Sequence, residues 1–220
     1  MTLEGTNTYI YGENPCLVID PGPGHPEHLE AVRRAAAERG GAEAVLLTHS
    51  HRDHAEGAPA LGLPVVLPTD GERHGGLTAV ATPGHAADHV CLLTSDGVCF
   101  SGDLVLGEGS TIVPPDGGSL TAYLQSLRRL QQEPLSLICP GHGPWITDPA
   151  AKLEEYVEHR LMRERRLVAA LDSGERSRAA LLAAAWDDVP EELRPAAAHA
   201  MEAHLQKLDG EGRLPGHLSD

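Results

Sequence analysis

Residues 48–54 read Thr48-His49-Ser50-His51-Arg52-Asp53-His54 and follow directly on the apolar run Ala44-Val45-Leu46-Leu47. Three imidazoles and a carboxylate within six residues of a strand end can point nitrogen and oxygen donors into one small volume, which a divalent first-row cation binds well. Three later loops each offer one more donor of the same kind. His85 stands in Thr82-Pro83-Gly84-His85, Asp103 in Ser101-Gly102-Asp103, and His142 in Pro140-Gly141-His142-Gly143-Pro144, each after an apolar, strand-like run. The candidate metal ligands are therefore His49, His51, Asp53, His54, His85, Asp103 and His142. Donors spread over four loops make a site only in a fold that gathers strand ends on one side, so this pattern limits the architecture before any other feature is considered.

The rest of the chain is consistent with such a fold. Short β-like runs are expected at 8–11, 16–20, 44–48, 65–67, 77–81, 90–94, 98–101 and 135–139, alternating with Gly- and Pro-rich loops. Two helices interrupt them. One covers 26–39, with Pro26 in its first turn and Gly40-Gly41 at its end. The other covers 120–132, with Ser119 as N-cap and Leu120, Tyr123, Leu124, Leu127 and Leu130 on one face. After Asp148-Pro149, an N-cap followed by Pro at the first helical position, the pattern turns helical: one long helix over 150–171, a break at Ser173-Gly174, then helices at 177–186 and 191–208. Residues 204–214 have the look of the last helix and wing of a winged-helix module. The expected organisation is an α/β layered domain over 1–148, with loops carrying the chemistry, and a small helical winged-helix-like domain over 149–220.

Composition narrows the function classes. Aromatic residues make up 3% of the 220, too few for a platform that stacks bases or sugars. A formal charge of −15 argues against a protein held on polyanions or anionic lipid by its overall field. No apolar run approaches the roughly 20 residues of a membrane span, and the N-terminal residues do not read as a leader, so a cytoplasmic location is expected. Cys16, Cys91, Cys99 and Cys139 lie far apart in apolar segments without a Cys-x-x-Cys pair, which fits buried free thiols. Of the 13 histidines, the five in the ligand pattern stand apart. For His25, His28, His74, His199, His204 and His217 a solvated or structural role is expected, whereas His89 and His159 merit a test.

The order His-x-His-x-Asp-His, then His, Asp and His, each at a strand end, resembles the metallo-β-lactamase superfamily. That resemblance implies an α+β protein with a four-layer αβ/βα sandwich and two divalent metal ions, zinc being the expected metal. His49, His51 and His85 would hold the first ion, Asp53, His54 and His142 the second, and Asp103 would bridge them. The nucleophile would be a hydroxide shared by the ions, with Asp53 as the catalytic residue that orients it or accepts its proton. Asp20, in Val18-Ile19-Asp20-Pro21-Gly22, matches the superfamily's strand-end Asp that supports a ligand His; a plain turn residue is the other reading of it. His rather than Glu at position 51 favours hydrolysis over the flavodiiron branch. Asp103 separates the site from secreted antibiotic-hydrolysing relatives.

Further segments resemble the β-lactamase-like protein group: Gly5-Thr6-Asn7-Thr8-Tyr9, residues 102–110, residues 140–144, and Tyr156-Val157-Glu158-His159-Arg160 with Arg163-Glu164. Members of that group join the sandwich to a C-terminal winged-helix-like domain and include a single-strand endoribonuclease and fungal polyketide thioesterases. Two departures stand out: Ala55-Glu56-Gly57 replaces a small-Gly-Gly sequence, and relatives carry an additional strand before Met1-Thr2-Leu3-Glu4-Gly5, which predicts a shortened first sheet. The expected activity is hydrolysis of a small ester or thioester. The alternative is single-stranded RNA cleavage, for which Arg160, Arg163, Arg165 and Arg166 with His159 speak and Glu154, Glu155, Glu158 and Glu164 on the same helix speak against. A mononuclear iron persulfide dioxygenase uses a similar ligand set and is a third possibility. Glu191, Glu192 and Glu202 leave the winged-helix segment too acidic for DNA phosphates and fit a packing element or lid instead.

Overall fold

The computed structural model describes residues 5–219, so the expectation for Met1–Glu4 lies outside the described residues. Two sheets form the centre. The first has the order β1 (Tyr9–Tyr11), β2 (Cys16–Ile19), β3 (Ala42–Leu46), β4 (Val65–Val66), and the second β5 (Arg73–His74), β6 (Leu77–Ala81), β7 (Val90–Leu93), β8 (Val98–Gly102), β9 (Leu137–Pro140). Period-two alternation then divides each strand between two cores. Leu17 and Ile19 face Leu77, Ala79, Leu92 and Phe100 across the space between the sheets, while Val18 and Val45 face outward with Val32 of α1 (Pro26–Glu38). On the second sheet Val80, Cys91, Cys99 and Ile138 face outward and are covered by two helices. These are α3 (Leu120–Leu130) and α4 (Pro149–Asp172); α2 (Arg52–Ala55) is a single turn within the histidine motif. The layers are helix, sheet, sheet, helix. Burial on both faces explains why β2 and β7 read as unbroken apolar runs rather than alternating ones.

Capping follows the sequence. The Ser119 side chain accepts from the Ala122 N–H and that of Asp148 from the Ala151 N–H, so both helices begin where an oxygen is available for an otherwise unpaired amide. Beyond α4, α5 (Arg178–Ala185) and α6 (Arg194–Gly210) pack on a separate apolar cluster containing Leu171, Leu181, Trp186, Met201, Leu205 and Leu208. Helix α4 serves both cores: Leu153, Tyr156 and Val157 belong to the sandwich, Leu167 and Leu171 to the helical cluster.

Strand directions position the loops. β2 and β3 are parallel; β6 and β8 are both antiparallel to β7 and hence run the same way; β9 is parallel to β8. The segments after β3, β6, β8 and β9 carry all seven candidate ligands, and the turn after β2 carries Asp20.

Candidate metal centre

The four loops bring the seven residues into two neighbouring groups. His49, His51 and His85 form one, Asp53, His54, Asp103 and His142 the other, and in each the donor atoms lie within 4.8 Å of one another. Asp103 faces both. Its Oδ1 lies 3.3 Å from His54 Nε2 and 3.4 Å from His142 Nε2, while its Oδ2 lies 3.6 Å from His85 Nε2. Asp53 Oδ2 is 3.4 Å from His142 Nε2. His49 and His54 are fully enclosed, whereas His51 and Asp53 remain partly open.

Each enclosed imidazole is held by its other nitrogen. His85 Nδ1 donates to the Ile112 carbonyl at 2.6 Å and His142 Nδ1 to the Gly5 carbonyl at 2.8 Å; carbonyls can only accept, so the proton sits on Nδ1 and Nε2 carries a free lone pair. His54 Nδ1 lies 2.8 Å from Asp20 Oδ2. His49 Nδ1 lies 3.0 Å from Thr48 Oγ1, whose own proton goes to Asp20 Oδ2 at 2.6 Å. His51 turns the other way and presents Nδ1, 2.9 Å from His85 Nε2. Asp20 thus organises two histidines, and it also accepts the Thr48 N–H at 2.8 Å. It holds φ at +46°, a left-handed conformation uncommon for a non-glycine residue, which its three hydrogen bonds offset.

His49 Nε2, His54 Nε2 and Asp103 Oδ1 are buried with no hydrogen-bond partner. Buried polar atoms without partners are costly in a finished interior, and imidazole nitrogen with carboxylate oxygen is a donor set that divalent first-row cations accept. The residues fit such ions. Electrostatics agree. Burial opposes charge on His54, but Asp103 and Asp20 outweigh it and push the imidazole up to about 10. Burial also opposes charge on His142, and Asp103 again raises it. Burial would raise Asp103, yet His142 and His54 hold it well below the usual carboxylate range. At the other group burial, with His89 and His54 nearby, drives His49 down and keeps it neutral. The carboxylates therefore favour positive charge around His54 and His142, which a cation supplies equally well.

Several contributors lie outside the candidate ligand set, His89 among them, which the sequence marks for a test. His89 is buried beneath the first group, accepts the Asp103 N–H on Nε2 at 3.1 Å, and has Nδ1 2.8 Å from Thr82 Oγ1; burial lowers it to about 3, so it serves as a neutral acceptor. Its motif Thr82-Pro83-Gly84-His85-Ala86-Ala87-Asp88-His89 was the available signal. Gly102 stands against it at φ +46°, and a Cβ there would fall 2.4 Å from Thr48 Oγ1 and 2.8 Å from His89 Nε2. The carbonyls of Gly5 and Ile112 had no signal, since every residue type has one. The basic run on α4, which spoke for the RNA alternative, does not form one exposed face. Arg160 and Arg163 are 4% and 6% exposed. Arg165 pairs with Glu158 at 3.3 Å and Arg166 with Asp187 at 2.8 Å. His159 is half-buried between Arg160, Arg163 and His204, and burial with those charges lowers it to about 4.

Residues 1–63 and 63–142 match the metallo-beta-lactamase superfamily, and residues 177–214 match the beta-lactamase associated winged helix domain. The chain is 32% identical to a beta-lactamase-like protein 2 homolog of Drosophila melanogaster over 97% of this chain and 85% of the relative. It is also 32% identical to an atrochrysone carboxyl ACP thioesterase of Aspergillus chevalieri over 98% of this chain and 79% of the relative. Among solved structures, a metallo-beta-lactamase family protein of Thermus thermophilus superposes with a TM-score of 0.74 at 24% identity, covering 94% of this chain and 89% of that one. Sandwich, loop-borne donors and sequence matches agree: the chain belongs to the metallo-β-lactamase superfamily, as a metallo-hydrolase with an appended winged helix domain.

Proposed function

We propose that the chain is a dinuclear metal-dependent hydrolase of a small ester or thioester. The observation that supports two ions is the Asp103 carboxylate, whose oxygens divide between the two donor groups. His49, His51 and His85 would hold one ion, Asp53, His54 and His142 the other, and Asp103 would serve both; zinc suits this set of nitrogens and oxygens. Such ions, when bound, lower the pKa of a shared water and polarise the oxygen of the attacked carbonyl. The chain's own groups supply the rest. Asp53 is the one carboxylate of the three (Asp20, Asp53 and Asp103) left substantially open, with its side chain 33% exposed, which suits a group that orients the attacking water and takes its proton. Asp20, Thr48 and the carbonyls of Gly5 and Ile112 fix the imidazoles before substrate arrives, so orientation costs nothing during the reaction.

The thioester reading is supported by the thioesterase name of a relative that matches 98% of this chain, and by the enclosure of Arg160 and Arg163, which leaves those two cations unavailable to an RNA backbone. We also read the chain as two domains, 1–148 and 149–220, and the four free, buried cysteines as fitting a cytoplasmic setting. No helix among the described residues is long and apolar enough to cross a membrane.

The test pairs acyl thioesters and esters with end-labelled single-stranded RNA on metal-loaded protein, with Asp53→Ala alongside. Thioester or ester turnover that falls at least a hundredfold in Asp53→Ala is expected. RNA cleavage without acyl hydrolysis would reverse the ranking of substrates, and a control as fast as wild type would defeat the role given to Asp53. Metal analysis returning two ions per chain is expected; one iron per chain would favour the dioxygenase.

A further inference from the structure

Helix α4 holds the segment between Asp103 and Ile112 through two side chains one turn apart. The Tyr156 hydroxyl accepts the Leu106 N–H at 3.0 Å and donates to the Gly109 carbonyl at 3.0 Å. Arg160 Nη2 donates to Ser110 Oγ at 3.1 Å and to the Thr111 carbonyl, while its guanidinium stands 5.4 Å from the centre of the Tyr123 ring. Both grip the segment 104–111, which runs from Asp103 to Ile112. The Ile112 carbonyl is the one that receives the His85 Nδ1 proton.

The guanidinium of Arg160 is expensive where it sits. It is 4% exposed, its Nε has no partner, and among the described residues it forms no ion pair with a carboxylate. An apolar side chain of similar volume would fill the space without the desolvation cost. Packing alone therefore does not account for an arginine. What a long side chain ending in two N–H groups on one nitrogen does here is tie two consecutive residues, Ser110 and Thr111, immediately before the peptide that orients His85.

We propose that Arg160 is a positioning residue for His85: through Ser110 and Thr111 it fixes the Ile112 carbonyl, and so sets how tightly the His49, His51 and His85 group holds its ion. The inference rests on the dinuclear reading above. It also gives the C-terminal module a part in the site. One turn beyond Arg160, Arg163 donates to the Ala185 carbonyl at 2.8 Å and Glu164 pairs with Lys207 at 2.8 Å and Arg213 at 3.1 Å, so the helical cluster braces the same rod that braces the loop.

The test measures stepwise zinc binding against a chromophoric chelator for wild type, Arg160→Met, Arg160→Lys and Arg165→Ala, together with the visible spectrum of the cobalt-substituted proteins and the ¹⁵N resonances of the imidazoles. In Arg160→Met one of the two binding steps weakens at least tenfold while the other stays, the cobalt spectrum changes, and the Nδ1–H signal of His85 is lost to exchange. Arg160→Lys, whose ammonium ends one bond short of the Nη2 position, does not restore that step, and Arg165→Ala, on the exposed side of the helix, behaves as wild type. Should Arg160→Met fail to fold by circular dichroism, Tyr156→Phe replaces it. That variant removes only the hydroxyl between Leu106 and Gly109, and the same step should weaken to a smaller extent. Two steps at wild-type affinity with an unchanged spectrum, or an equal loss at both steps, overturns the positioning role while leaving the dinuclear reading intact. A wild type that binds fewer than two ions overturns both.

Discussion

Asp20 carries no ligand atom in either donor group, yet its two oxygens reach the Thr48 amide, the Thr48 hydroxyl and His54 Nδ1, and through the Thr48 hydroxyl also His49. Removing its charge while keeping its shape is therefore informative. Asp20→Asn replaces an acceptor by an amide that must present NH₂ to at least one existing donor, so either the Thr48 N–H, or the Thr48 hydroxyl together with His54 Nδ1, loses its acceptor, and the support of His54 and His49 weakens. Metal affinity should fall about 10–100-fold, read by chelator competition, with secondary structure unchanged by circular dichroism. Affinity within a factor of two of wild type would mean that packing alone orients these rings. At this scale the sequence was informative wherever chemistry resides in the side chain. His49, His51, Asp53, His54, His85, Asp103 and His142 could all be named as candidate ligands because their donor atoms identify them, and Asp20 could be named as one of two readings. The Gly5 and Ile112 carbonyls could not, because a backbone acceptor has no residue type and is located only by the fold.

Elements were legible to the extent that burial writes a period into the chain. β6 stands at 77–81 as expected, and β2, β7 and β8 end within one residue of expectation, because both faces of these strands are apolar. β3 begins earlier, at Ala42, since pairing with Cys16 extends it into a segment with no apolar signal of its own. β5 is two polar residues, Arg73 and His74, held only by pairing with β6, and no pattern announces it. α2 is a single turn whose residues are taken by the histidine motif. Contact between elements is where a small change should have a large effect. Gly84 precedes His85 at φ +146°, and a Cβ there would fall 2.4 Å from Tyr123 Cα on α3, so the loop lies directly on the helix. Gly84→Ala meets both a backbone conformation that L-residues avoid and a wall that cannot yield without moving α3. A loss of about 2–4 kcal/mol in unfolding free energy is expected from these two costs together, measured by denaturant titration of the metal-free protein. A change below about 0.5 kcal/mol would show that α3 shifts freely at this contact.

At the scale of the whole molecule, the −15 formal charge conceals a joint of paired charges. Between α4 and α6, Glu164 is nearly enclosed and faces His204, Lys207 and Arg213; Lys207 Nζ is 2.8 Å from Glu164 Oε2, an ion pair whose geometry falls outside that of a hydrogen bond. Glu211 pairs in turn with Lys207 and Arg213. His204, with Lys207 and Arg213, holds Glu164 down to about 2 from its ordinary 4.5. A carboxyl with a depressed pKa in the folded state stabilises that state at pH values above its unfolded pKa, and the contribution disappears as pH falls through the folded value. The window here is from about 4.5 down to about 2. Glu164→Gln removes this contribution at every pH and leaves Lys207 and Arg213 facing a neutral amide. At pH 7 the variant should therefore be less stable by on the order of 2–3 kcal/mol, somewhat under the full value of the shift because Arg213 is partly in water. Unfolding of the metal-free wild type and Glu164→Gln, compared at a series of pH values, removes the acid sensitivity that both share through the histidine cluster. The difference between them should stay constant from pH 7 to about 5 and shrink steadily below that, as wild-type Glu164 takes up its own proton. A difference that held its size down to pH 3 would mean that the joint is fastened by its apolar contacts, among Leu167, Leu171 and Leu205, and that the ion pairs are incidental to the union of the two cores along α4.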